Sequence, residues 1–270
     1  MKKGTKRDRR RQYVIRRNLK KAACAILLVL LVLAYIGIRK QESAGSQGIS
    51  AQDVSQTAAT FKTDGQSGGT EEDFSLNMVP PYSDRAYVDI NGDVPFFTEE
   101  EMTAEAFHEY WPLDELGRCT GAYACVGPET LPTQKRGDIS SVKPTGWNTN
   151  RYSDIDGEML FNRCHLIGHL LTGQDANERN LITGTRYMNV EGMLPFEESV
   201  VRYVEGTGHH VMYRVRPFFD GDNLVCTGVL MEAESVEDPL VRFCAFCYNV
   251  QPGFEIDYKT GDNRRAKAPD

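Results

Sequence analysis

Seventeen consecutive uncharged residues, Ala22 to Ile38, follow a segment that carries eleven Lys or Arg against one Asp between Met1 and Lys21. Arg39 and Lys40 close the run. A run of this length is just long enough to cross a bilayer as one helix, and a buried core helix would not carry so basic a flank. A cleavable signal peptide would need a small-x-small step. The run ends Ala34-Tyr35-Ile36-Gly37-Ile38 without a clear one, so it reads as an uncleaved signal anchor, with secretion after cleavage as the alternative. The expected organisation is a basic cytoplasmic tail over 1–21, a single transmembrane helix over 22–38 in contact with the lipid bilayer, and everything after Lys40 outside, because basic flanks stay in the cytoplasm.

The anchor region holds much of the positive charge. Residues beyond 40 carry 18 Lys and Arg against 37 Asp and Glu, a net −19. That balance excludes a broad basic face, so a polyanion handled by this part must be gripped by a local basic cluster or a metal ion. Residues 39–81 are rich in Ser, Gly, Gln and Thr with almost no large apolar side chains, which predicts a flexible extracellular linker reaching roughly 35 Å.

Residues 82–270 form the expected folded domain. Ala86 to Gly92 predicts a strand closed by an Asn-Gly turn, followed by an extended piece from Val94. Thr98-Glu99-Glu100-Glu101 predicts a helix through about Tyr110 with Thr98 as N-cap. Thr120–Val126 predicts a short strand. The apolar segments His209–Phe218, Asn223–Glu232 and Phe243–Val250 predict an antiparallel meander.

Between them, Phe161 to Glu205 carries His165, Arg163, Asn180, Asn189 and Glu197 along an expected strand, loop and helix. These residue types suit phosphodiester hydrolysis. A neutral imidazole takes a proton from water, an Asn carbonyl ligates hard Mg²⁺ while leaving most of its sites to water, and guanidinium steadies phosphate charge. Each also has an ordinary structural reading, as a hydrogen-bonded His, a paired Arg or a turn-capping Asn. His165 and His169 stand four apart as in zinc-hydrolase helices, but Leu166 occupies the place of the required Glu.

The stretch resembles the DNA/RNA non-specific endonuclease family, whose ββα-metal (His-Me finger) site has an Asp-Arg-Gly-His motif on a strand and a metal-binding Asn on the following helix. Asn162-Arg163-Cys164-His165 matches the Arg and the His and departs at Asn162 and Cys164. Asn180, Asn189 and Glu197 follow at matching spacings, and the likeness takes in Gly117-Arg118 and Lys143-Pro144-Thr145-Gly146-Trp147. It is nearest the bacterial DNA-entry and secreted nuclease branch. The resemblance implies an α+β domain with a central antiparallel sheet, displayed outside a bacterial cell membrane, that cuts DNA and RNA without sequence preference. It implies His165 as general base, Asn189 as direct Mg²⁺ ligand with Mn²⁺ as a substitute ion, and Glu197 as holder of metal-bound water. Asn180 would orient the metal site, and Arg163 and Arg136 would meet phosphate. The rival reading is a non-catalytic extracellular receptor for DNA uptake, which would need neither His165 nor Asn189 and would show basic and aromatic stripes.

Cys24 lies in the apolar run and six further cysteines lie outside it. An even number in an oxidising compartment permits three disulfides in fifteen pairings. A structural zinc on Cys119, Cys125, Cys244 and Cys247 is the alternative. Cys164 and His165, adjacent on a strand, would face opposite ways and cannot act as a pair.

Overall fold

The computed structural model describes residues 74–267, so the expected cytoplasmic tail, anchor and most of the linker lie outside the described residues. No helix among the described residues is long and apolar enough to cross a membrane.

A six-stranded antiparallel sheet organises the domain. Its strands are β1 (Tyr87–Asp89), β2 (Phe107–Tyr110), β3 (Ala122–Val126), β6 (Val211–Phe218), β7 (Gly228–Ser235) and β8 (Arg242–Tyr248), in the order β1-β8-β7-β6-β3-β2. The central strands read as nearly continuous apolar runs because both faces are covered, and successive side chains feed different cores. On β7, Val229, Met231 and Ala233 enter the main core while Leu230 enters a second one. On β8, Phe243 and Cys247 take the first side, and Cys244, Phe246 and Tyr248 the second.

The second face also holds charge. Arg214 on β6 lies opposite Glu232 on β7, and both are buried, with Nε donating to the carboxylate at 3.0 Å. Glu101 takes another Arg214 donor at 2.8 Å, and the Phe97 ring lies 4.7 Å from the guanidinium carbon. A buried pair of this kind is costly to break from one side, about 3–5 kcal/mol, because the remaining charge is stranded. It also corrects the helix expected over 98–110. The chain there makes turns and then β2, which pairs with β3 from Phe107↔Cys125 to Tyr110↔Ala122. The Thr98 N–H does donate to Glu101, at 2.7 Å, as in a helix start. The other carboxylate oxygen is held by Arg214, and tertiary pairing overrides local propensity.

Two further expectations change. Residues 74–81, placed in the linker from sequence, pack on the sheet. Phe74 is buried edge-on against Phe218 at 4.7 Å, and the Tyr248 hydroxyl donates to the Pro80 carbonyl at 2.7 Å. The six outer cysteines are all free and buried. Cys244 and Cys247 face different cores, so they cannot share a metal. Burial pushes the thiols of Cys119, Cys125 and Cys226 up to about 12.

Against the main-core face lies a separate hairpin, β4 (Phe161–His165) with β5 (Leu181–Thr185), paired antiparallel. A short helix α1 (His169–Thr172) lies in its connection. After β5 the chain turns helical through a π-helical segment (Met188–Met193) into α2 (Leu194–Thr207). Asn249 ties the hairpin to the sheet. Its Oδ1 accepts from Thr185 N–H at 2.8 Å, and its Nδ2 donates to the Thr183 and Cys226 carbonyls.

Candidate active site

The hairpin and the helical run enclose a cavity of about 500 Å³, whose walls include His165, Arg163, Arg136, Asn189 and Glu197. Five residues singled out from sequence thus share one cavity. Asn180 is not among the residues lining it.

His165 closes β4 and is only 6% exposed. Its Nε2 lies 3.0 Å from the Asp175 carbonyl, which only accepts, so Nε2 carries the proton and donates. Nδ1 lies 3.4 Å from an Arg136 nitrogen, which only donates, so Nδ1 holds the lone pair. Both partners select one tautomer. Burial and then the Arg136 charge push the imidazole down from 6.5 to about 4, so it is neutral at physiological pH and able to take a proton.

Asn180 lies behind the cavity wall. Fully buried, it accepts from Ile167 N–H at 2.9 Å and donates to the Ile167 carbonyl at 3.0 Å. It therefore clamps the turn that follows His165 and acts on the site from behind. Arg163 lines the cavity but donates to the carbonyls of Val142 and Ser140 and lies over Trp147, 4.1 Å from the ring centroid. Its side chain props the 140–147 loop against the hairpin. Arg118 serves structure, pairing with Asp114 and donating to the carbonyls of Gly221 and Asn223.

Glu197 sits on the first turn of α2, 7% exposed. Burial is the largest influence on its carboxyl and raises it to about 7, partly offset by a hydrogen bond from the Gly168 N–H. A buried carboxylate on a cavity whose wall also carries the Asn189 amide fits a hard divalent cation, whose charge would favour its ionised form. Among the described residues no group of three or more His, Cys, Asp and Glu side chains could hold a metal. The donors on the wall, an amide oxygen of Asn189 and the Glu197 carboxylate, suit an ion that keeps most of its waters. His165 ends a strand and His169 opens α1, so the two do not present the one-helix spacing of zinc hydrolases.

The departures from the family motif have a local account. Cys164 is buried in the main core, and the room for its thiol comes from the partner strand. A Cβ on Gly184 would lie 2.4 Å from the Cys164 Sγ. Asn162 faces the cavity.

A model of the DNA/RNA non-specific endonuclease family matches residues 98–237, which is more than half of the chain. The chain belongs to this family. The fold is similar to that of NucA from Streptococcus agalactiae in two crystal structures. With magnesium bound the TM-score is 0.58 at 24% identity, over 66% of this chain and 86% of that one. With no metal bound the TM-score is 0.60 at 23% identity, over 71% and 94%. A structure of Sda1 nuclease with a bound zinc ion matches at a TM-score of 0.51 and 25% identity, over 59% of this chain and 81% of that one.

Sequence reasoning missed three participants. The Asp175 carbonyl sets the His165 tautomer through its backbone, so no residue type could announce it. Gly168 leaves room for Glu197, since a Cβ there would lie 2.7 Å from both carboxylate oxygens. Arg186 lines the cavity and was legible as the residue one helical turn before Asn189.

Proposed function

We propose that this protein is a metal-dependent, sugar-non-specific endonuclease that hydrolyses phosphodiester bonds of DNA and RNA from an extracellular position, anchored through residues 22–38. The observation that carries the proposal is the neutral His165, its Nδ1 lone pair fixed by two partners, in one cavity with Asn189 and Glu197. Family membership supports the nuclease reading, and the anchor and outward placement rest on the charge pattern of residues 1–40.

His165 Nδ1 takes a proton from water as the water oxygen bonds to phosphorus. The bond from phosphorus to the 3′ oxygen breaks, leaving a 5′-phosphate. Arg136 must leave Nδ1 for this to happen, and an incoming phosphate offers its guanidinium a better, charged partner. Arg163 adds positive charge on the same wall. Asn189 would ligate Mg²⁺ directly and Glu197 through the ion's hydration shell, with Mn²⁺ as a substitute. When bound, the ion supplies Lewis-acid stabilisation of the charge on phosphorus and on the departing oxygen. Contacts confined to the backbone carry no base readout, which accounts for cutting without sequence preference.

The test is incubation of the full-length, detergent-solubilised protein with plasmid, linear DNA and RNA, with and without Mg²⁺. Cleavage of all three that stops with chelator is expected. His165→Ala should cut about 10² to 10⁴-fold more slowly without a change in Mg²⁺ requirement, since it removes only the base. Asn189→Ala should raise the Mg²⁺ requirement. Full activity of the His165 variant, or of the parent in chelator, refutes the mechanism, and a parent that binds DNA without cutting it favours the receptor.

A further inference from the structure

Arg186 has a position on the cavity that the proposed chemistry does not yet use. It opens the helical run that carries Asn189, and both residues line the cavity. Its backbone is pinned by an N–H donated to the Leu160 carbonyl at 2.8 Å. Its guanidinium is paired with Asp156 at 2.6 Å, and the two side chains are 34% and 84% exposed. Asp156 stands on a loop closed by the Arg151↔Met159 bridge and by hydrogen bonds from Tyr152 N–H to the Glu158 carbonyl and from Glu158 N–H to the Ile155 carbonyl, both 2.8 Å. Ile155 is buried beneath the loop, so the acid is held at the rim by an ordered turn.

We propose that Arg186 is a phosphate-binding residue for the nucleic-acid backbone and that Asp156 competes with the backbone for it. The inference rests on the nucleic-acid reading given above. An ion pair this exposed is worth little by itself and is readily exchanged. A phosphate presents the guanidinium with the same two-oxygen face as the carboxylate. Asp156 thus acts through Arg186, by occupying the guanidinium in the free protein. In a domain with so large an acidic excess, the pair sets how much of this local positive charge a strand can reach.

The experiment measures binding of a fluorescein-labelled 12-nucleotide DNA strand to the full-length protein in chelator, by anisotropy, across a salt series. Asp156→Asn should tighten binding about 3-fold, the size expected for freeing one exposed cation. Arg186→Ala should weaken it about 5-fold and flatten the salt slope by about 1. The double variant should bind like Arg186→Ala alone, because the effect of Asp156 runs through Arg186. Arg186→Lys, which keeps the charge without the fork, should fall between parent and Ala and guards against misfolding of the Ala variant. The proposal is overturned if Asp156→Asn changes nothing, or if it tightens binding equally when Arg186 is Ala. Binding that follows the expected cycle in a parent that does not cleave would refute hydrolysis and leave this inference standing. Cleavage with an additive cycle would do the reverse.

Discussion

Replacing Gly168 with Ala separates the site from the fold on geometric grounds. Gly168 has φ −59° and ψ 147°, a conformation open to any residue, so Ala brings no backbone strain. The new Cβ, however, would lie 2.7 Å from both Glu197 carboxylate oxygens and 2.8 Å from the carboxyl carbon. Ordinary contact needs roughly 3.5 Å, so the carboxylate must retreat by something near 0.8 Å. It is the end of a flexible side chain with the cavity in front of it, so the retreat costs the fold less than about 1 kcal/mol, below the usual range for overpacking a closed core. The function should suffer more. Misplacing a group that orients a metal's surroundings typically costs 10- to 100-fold in metal affinity or activity. The assay is plasmid cleavage titrated with Mg²⁺, alongside a thermal melt in chelator. Half-saturating Mg²⁺ should rise at least tenfold while the melt moves by only a few degrees. Gly206→Ala is the control, because nothing lies within 4 Å of its Cβ on α2; it should stabilise by about 0.5–1 kcal/mol and leave the titration alone. A Gly168→Ala protein with the parental titration would show that the position of Glu197 does not govern the metal, and the reasoning would fail.

The depressed His165 also predicts a pH dependence of stability. The folded imidazole protonates near 4 and the unfolded one near 6.5, so between these values the unfolded chain binds more protons at this residue and the His165 contribution to stability falls as pH drops from 6.5 toward 4. A shift of this size corresponds to about 3 kcal/mol. Glu197, raised from 4.5 to about 7, contributes with the opposite sign over an overlapping range, so His165→Gln should leave a chelator-treated denaturation profile in which stability gains more on acidification than in the parent; an unchanged profile would refute the assignment. Gly184→Ala should destabilise by about 1–3 kcal/mol, because its Cβ would lie 2.4 Å from Cys164 Sγ and 2.7 Å from Met188 Cε. Cys164→Ala added to it should recover part of the loss, and equal melts for the single and double variants would show that the thiol is not the obstacle.

What the sequence made legible depended on whether an element answers to its own residues or to distant ones. The β6 to β8 meander is written in apolar runs that can be satisfied only by burial; β6 and β8 lie close to their expected positions, while β7 starts at Gly228, five residues later than expected. The hairpin and helix around His165 were legible because strand, loop and helix follow one another locally and carry polar groups that a core has little reason to keep. The segment at 98–110 behaved oppositely. Its helix signal was real at Thr98 and Glu101, but Glu101 is used by Arg214, 113 residues away, and no local pattern encodes that partner. Phe74 was hidden in the same way, as one apolar residue at the end of a polar stretch whose burial depends on Phe218 and Phe246. The site divides along this line too. His165, Asn189 and Glu197 stood out because their chemical types suit phosphodiester hydrolysis and because the resemblance to the nuclease family picks them out at matching spacings. The Asp175 carbonyl, the room left by Gly168 and the clamp of Asn180 on Ile167 are properties of backbone geometry, and they become visible only when the loop between β4 and β5 has a shape. That loop fixes which imidazole nitrogen faces the cavity and whether the Glu197 carboxylate fits beside it. Loop substitutions that leave every chemically conspicuous residue in place should therefore alter activity as well, as Gly168→Ala is expected to do.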